Sequence, residues 1–200
     1  MTLARQVVTF SFVTLIAKLN VPVVKNLLAK RQLMNASFDP LRLVNTYGAF
    51  GTVSDYRNEY IILSAQDISG PWKEYEFKVK PGNVMRHARW ISPYHYRLDW
   101  QMWIAAVVGT IDRSPWIYNF LLKLLERNEE VVRLLESDPW QGADEPAKYI
   151  RMDVFRYKFH KPVSGKGKQP YWDREFVGRF YPRQGIATIA SLKDEIKKYR

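Results

Sequence analysis

Apolar and polar positions alternate along this chain with changing periods, and the changes mark its elements. Residues 7–16 (Val-Val-Thr-Phe-Ser-Phe-Val-Thr-Leu-Ile) form an uncharged apolar run, and Val21, Val23, Val24, Leu27 and Leu28 prolong its character. Lys18 and Lys25 interrupt it, so the run by itself falls short of the roughly 20 apolar residues of a full membrane span. Arg5 ahead of the run suits a signal peptide, but Lys18 stands where a cleavage site would lie. Three readings stay open for residues 7–28. They are the tail end of a span followed by an interfacial helix broken at Pro22, an uncleaved anchor, or a buried helix of a soluble domain.

Further along, 59–66 and 72–80 are extended runs joined by Asp67-Ile68-Ser69-Gly70-Pro71, a dense turn signal that predicts a hairpin. In its second half Tyr75, Phe77 and Val79 alternate with Glu76, Lys78 and Lys80, so one face packs and the other is wet. The mostly apolar 100–108 stretch suits a buried helix over 97–109 that Gly109 ends. Ser114-Pro115 opens a second helix through about Arg127, and Asn128-Glu129-Glu130 a third that stops before Pro139. Strand chemistry returns at Lys148–Phe159 and again at Tyr171–Tyr181, with a basic loop, Lys161–Pro170, between them. Leu192, Ile196 and Tyr199 give the end of the chain a weak helical stripe. Strands, then helices, then strands predict an α+β fold: an antiparallel sheet packed against about three consecutive helices, preceded by an apolar N-terminal helix. The expected organisation is an apolar segment at 1–33, a main domain at 34–182 and a basic tail at 183–200.

Composition sharpens this picture in three places. With 46% apolar and 14% aromatic residues over 200 positions, the chain can bury a sizeable core and is not a disordered polymer. There is no cysteine, which removes disulfides, thiolate metal sites and a cysteine nucleophile, and leaves the compartment undetermined by redox chemistry. The net charge of +11 is concentrated toward the end, where residues 161–200 hold ten Lys/Arg against four Asp/Glu. Trp72, Tyr157, Phe159, Tyr171 and Trp172 are interleaved with basic residues, a pattern shared by nucleic-acid sites and by half-buried strands of any basic protein. The strand reading is taken, and no nucleic-acid partner is expected.

Candidate chemistry is concentrated at 89–103, where Arg89, Trp90, Tyr94, His95, Arg97, Asp99 and Trp100 stand close in sequence. A histidine, two arginines and a carboxylate among aromatics can bind a ligand or carry protons. A loop leading into a helix also needs an acid for capping and an arginine to pair with it, so Asp99 is expected to pair with Arg97 or Arg89 as a structural network. His87 and His95 lie eight apart and His160 is distant, so without cysteines or a tight ligand spacing no metal is expected, and no cofactor; dinucleotide, phosphate-loop and nucleophile-elbow signatures are absent. Asn35-Ala36-Ser37 is the one glycosylation triplet, and Asn35 is a candidate acceptor.

Four strings, in order and in spacing, resemble the lipase maturation factor family. They are Ser37 to Gly51 (SFDPLRLVNTYGAFG), Trp72 to Phe77 (WKEYEF) with Lys80-Pro81-Gly82, Pro93 to Trp103 (PYHYRLDWQMW), and Tyr149-Ile150-Arg151 with Phe155 to Phe159 (FRYKF). Tyr171-Trp172-Asp173-Arg174 is similar to the family's closing element, and the likeness covers about 30–182. The resemblance implies the lumenal carboxy-terminal domain of a multi-pass endoplasmic reticulum membrane protein that assists folding and assembly of dimeric secreted lipases. It further implies client lipases as partners, membrane attachment through the N-terminal segment, and no catalytic residues to carry over. The competing expectation is a ligand-binding or enzymatic domain built on His95, Arg97 and Asp99.

Overall fold

The computed structural model describes residues 2–47, 56–164 and 167–199; Gly48 to Gly51 of the first family string and Gly165-Lys166 of the basic loop lie outside them. The chain divides into two compact units, Met1–Asp55 and Tyr56–Arg200.

The first unit is dominated by helix α1, Leu3–Leu27, with Pro22 inside it and no buried residue. Its 25 residues rise about 37 Å at 1.5 Å each, enough to cross a hydrocarbon core of about 30 Å. Its most apolar stretch has a mean hydropathy of 1.9, which makes it a candidate membrane span. The expected break at Pro22 is therefore not present, and neither is the burial of a soluble-core helix. Proline removes one backbone donor, but the turns on either side carry the helix through. Two of its polar side chains turn back onto the helix: Thr14 Oγ1 donates to the Phe10 carbonyl at 2.8 Å and Asn20 Nδ2 to the Ile16 carbonyl at 2.8 Å. That arrangement satisfies a hydroxyl or amide where water is scarce. Beyond the helix, strands β1 (Ala36–Ser37) and β2 (Asn45–Thr46) form a small antiparallel pair. Between them Asp39 accepts the backbone N–H groups of Val44 (3.0 Å) and Leu43 (3.1 Å). The Val44 bond leads in holding the Asp39 carboxyl below its ordinary range.

The second unit is an α+β fold. Its sheet runs β4 (Lys73–Glu74), β3 (Arg57–Ala65), β5 (Tyr149–Phe159), β6 (Trp172–Tyr181) across, and every pairing is antiparallel. The hairpin is present, with Leu63 opposite Glu74 and Ser64 opposite Lys73, but its second strand is brief. Strand β3 is buried on both faces from Glu59 to Ala65, as a central strand covered from two sides must be.

On one face, three consecutive helices follow: α2 (Arg97–Val108), α3 (Trp116–Leu125) after a 3-10 turn, and the single turn α4 (Glu129–Val132). Gly109 ends α2 at φ 73°, the left-handed conformation that glycine adopts without steric cost. Asn128 caps α4 by accepting the Val131 N–H. The core between helices and sheet joins Tyr60, Ile62, Ile150 and Met152 to Met102, Ile117, Leu121 and Leu124. A last helix, α5 (Ile189–Lys198), opens on a Thr188/Ser191 capping box. Leu192 of α5 is completely buried in this core. The opposite face carries a second, smaller cluster of Ile61, Leu63, Tyr157 and Trp172, with Trp72, Val84 and Phe155 against it.

Candidate functional site

After Glu74 the chain leaves the sheet. Glu76 makes one isolated bridge to Ser137, and from Phe77 to Gly82 the backbone joins no ladder among the described residues. Buried peptide groups must nevertheless find partners, and side chains supply them. Arg86 donates to the carbonyls of Phe77 (2.5 Å), Lys80 (2.5 Å) and Lys78 (3.2 Å), and pairs with Glu76 at 2.8 Å. Arg89 donates to the Lys78 carbonyl at 2.9 Å, and the Tyr157 hydroxyl to the Gly82 carbonyl at 2.6 Å. Asp99 Oδ1 accepts from the backbone N–H groups of Val79 (2.7 Å) and Lys80 (2.9 Å). A Cβ on Gly82 would stand 2.5 Å from Glu76 Oε1, so only glycine lets that carboxylate sit where Arg86 and the Asn83 N–H meet it.

This bracing decides the roles of the sequence candidates. Asp99 is completely buried and serves the 79–80 backbone. The expected pairing of Asp99 with Arg97 or Arg89 is not made. Arg97 and Asp99 are two apart on α2 and point to different sides of it. Arg89 instead grips Glu136 through two bonds of 2.9 and 2.7 Å. The bond to Arg89 is the leading cause that holds the Glu136 carboxyl below its ordinary range, and it raises the guanidinium in turn. His95 is half-buried, with its Nδ1 3.1 Å from the Tyr96 carbonyl and its ring edge-on to Trp100. Arg97 is exposed. The structure thus separates His95, Arg97 and Asp99 into a surface ring, a solvated cation and an interior carboxylate. Asn35 is exposed at φ 52°.

The aromatic candidates Trp90, Tyr94 and Trp100 all lie on the outside, and two of them meet neighbouring rings. Trp90 is 86% exposed and Tyr94 66% exposed. Tyr94 packs edge-on against Tyr96, and Trp100 makes a tilted contact with Trp103. The expected buried helix over 97–109 is buried on one side only. Leu98, Asp99, Met102 and Ala105 face the core, whereas Trp100, Ile104 and Val107 continue the outer surface. An apolar stretch of this length resembles a core helix in sequence, because periodicity vanishes when both faces are apolar.

A second open surface is the far edge of the sheet. Among the described residues strand β6 pairs only with β5, and its residues from Asp173 to Val177 are exposed, Phe176 and Val177 among them. Arg174 on this strand holds Glu74 through two bonds of 2.9 Å. Sequence reasoning missed this edge, and it missed the buried Lys80–Glu59 pair, because both depend on strand order.

Comparison with known proteins finds one family across most of the second unit. The lipase maturation factor C-terminal domain matches residues 43–182. Lipase maturation factor 1 of Mus musculus is 46% identical over 186 residues, which is 90% of this chain and 32% of that protein. Lipase maturation factor 1 of Homo sapiens is 41% identical over 196 residues, 94% of this chain and 34% of the relative. Lipase maturation factor 2 of Gallus gallus is 34% identical over 176 residues, 82% and 24% respectively. The chain therefore belongs to the lipase maturation factor family, and it spans about a third or less of the length of these relatives. No solved structure matches it.

Proposed function

We propose that this chain is the client-holding domain of a folding factor of the endoplasmic reticulum membrane, with its main domain in the lumen, and that it assists folding and assembly of secreted lipases. Family membership supports the lipase role. The candidate span α1 supports membrane attachment. On this reading Asn35, exposed just beyond α1, is a glycosylation acceptor.

The observation that carries client holding is the free edge of β6. An edge strand offers a row of backbone donors and acceptors that an extended stretch of an incompletely folded protein can pair with. Side-chain charges on the same strand, Asp173, Arg174, Glu175 and Arg179, oppose pairing of folded edges with each other. A client strand that needs holding and a folded neighbour that must be refused are thereby told apart.

The test is co-expression with a secreted lipase. Phe176→Lys and Val177→Lys put a charge where a docking strand would bury it, at positions already exposed in the fold. Recovered lipase activity and lipase captured with the chain are both expected to drop, at equal amounts of chain. Unchanged capture and unchanged activity would remove the β6 edge from the client site.

A further inference from the structure

We propose that the outer face of α2 and the loop before it rest on the surface of a lipid bilayer. The surface is built from Tyr96, Trp100, Ile104 and Val107, which share one face of α2, and from Tyr94 packed on Tyr96, all exposed. Exposed apolar patches of this kind mark a contact that the free domain leaves unmade. Three features of this one select a membrane as the partner.

The first is the type of side chain. Tryptophan and tyrosine carry an apolar ring and a polar edge, which is why they gather at the level of lipid headgroups. Here they are joined: Tyr94 packs on Tyr96, and His95 and Trp103 on Trp100.

The second is charge. From Val84 to Ile111 the chain has one carboxylate, Asp99, and it is completely buried. The charges this stretch presents outward are therefore basic, with Arg97 exposed beside Tyr96 and Trp100. Lys78 lies 5.0 Å from the Tyr96 ring and Arg57 5.7 Å from the Trp103 ring. Aromatic rings flanked by arginine and lysine fit phosphate headgroups above and acyl chains below.

The third is covalent attachment. The same chain carries α1, which is long and apolar enough to span. Tethering turns a weak surface contact into an intramolecular one, so a modest patch suffices to keep the domain down.

The absence of cysteine makes the test direct. The full chain is reconstituted into vesicles of phosphatidylcholine with a share of phosphatidylserine, carrying one spin label at Tyr94→Cys, Val107→Cys or Glu130→Cys. Glu130 is exposed on α4, a helix that contributes no residue to the patch. Collisions with oxygen, which concentrates in lipid, are compared with collisions with a water-soluble nickel chelate. Labels at 94 and 107 are expected about 5–10 Å into the headgroup and acyl boundary. Their oxygen-to-nickel ratio should then stand several-fold above that at 130, and Arg97→Glu should lower it. A ratio equal to that at 130 means a solvated patch and overturns the proposal. So does low access to both reagents, which would show the patch covered by protein, a client or a second copy of the chain.

Discussion

Lys80 Nζ stands 3.2 Å from Glu59 Oε2, and both side chains are withdrawn from water. Lys80 belongs to the braced 76–82 segment and Glu59 to the centre of the sheet, so this pair ties the irregular segment to the regular one. Arg57 is a second partner of Glu59, and the Lys80 ammonium also donates to the Pro81 carbonyl at 3.2 Å.

Glu59→Gln leaves that ammonium buried without its counter-charge, and the expected loss is about 3–5 kcal/mol in denaturant unfolding. Replacing both partners, Glu59→Leu with Lys80→Met, removes the charges together and should return stability to the parent level or above. A double variant as unstable as Glu59→Gln would show that the pair does more than satisfy itself.

Asp99→Ala orphans the N–H groups of Val79 and Lys80. Two bonds to a charged acceptor at about 1.5–3 kcal/mol each give an expected loss on the order of 3–6 kcal/mol. Asp99→Asn keeps a carbonyl oxygen in place and should retain much of it, while Arg97→Ala should leave the melting temperature unchanged. A large loss with Arg97→Ala would restore the ion-pair reading of this cluster.

Gly82→Ala drives a methyl group against the Glu76 carboxylate that Arg86 holds. The expected cost is about 1–3 kcal/mol, as for other overpacked sites. Combined with Glu76→Ala the clash is gone, so the double variant should lose less than the two singles together. Strict additivity in unfolding curves would place the Gly82 requirement elsewhere.

The Arg89–Glu136 pair sets an acid limit. Its leading cause, the Arg89 bond, keeps the folded Glu136 carboxyl below the ordinary value of 4.5. A depressed carboxyl contributes its stability above the unfolded value and loses it as the pH falls through the folded one. Glu136→Gln should therefore lower the melting temperature at pH 7, and the gap to the parent should close as the pH falls below about 4. A gap independent of pH would show that packing, not charge, is what the substitution removes.

Local pattern determined most of the architecture. The 59–66 and 72–80 runs with their turn, Gly109 at the end of α2, Asn128 at the start of α4 and the two late strands all rest on short-range rules of alternation, capping and turn chemistry. Those rules act between residues a few positions apart, so a single sequence displays them. The family strings were legible for the same reason: residues that brace a segment lie in short, distinctive stretches such as Lys80-Pro81-Gly82 and Leu98-Asp99-Trp100. Tertiary structure alone decided which partner each of those residues takes. Asp99 found backbone amides 19 and 20 positions away in place of the arginines beside it, because two residues on one helix face different ways. It also decided which apolar residues stay outside. Trp100, Ile104 and Val107 match the core side of α2 in chemistry, and only the position of the sheet on its other flank leaves them exposed. The free edge of β6 follows from strand order in the same way, and strand order is set by contacts that no local period records.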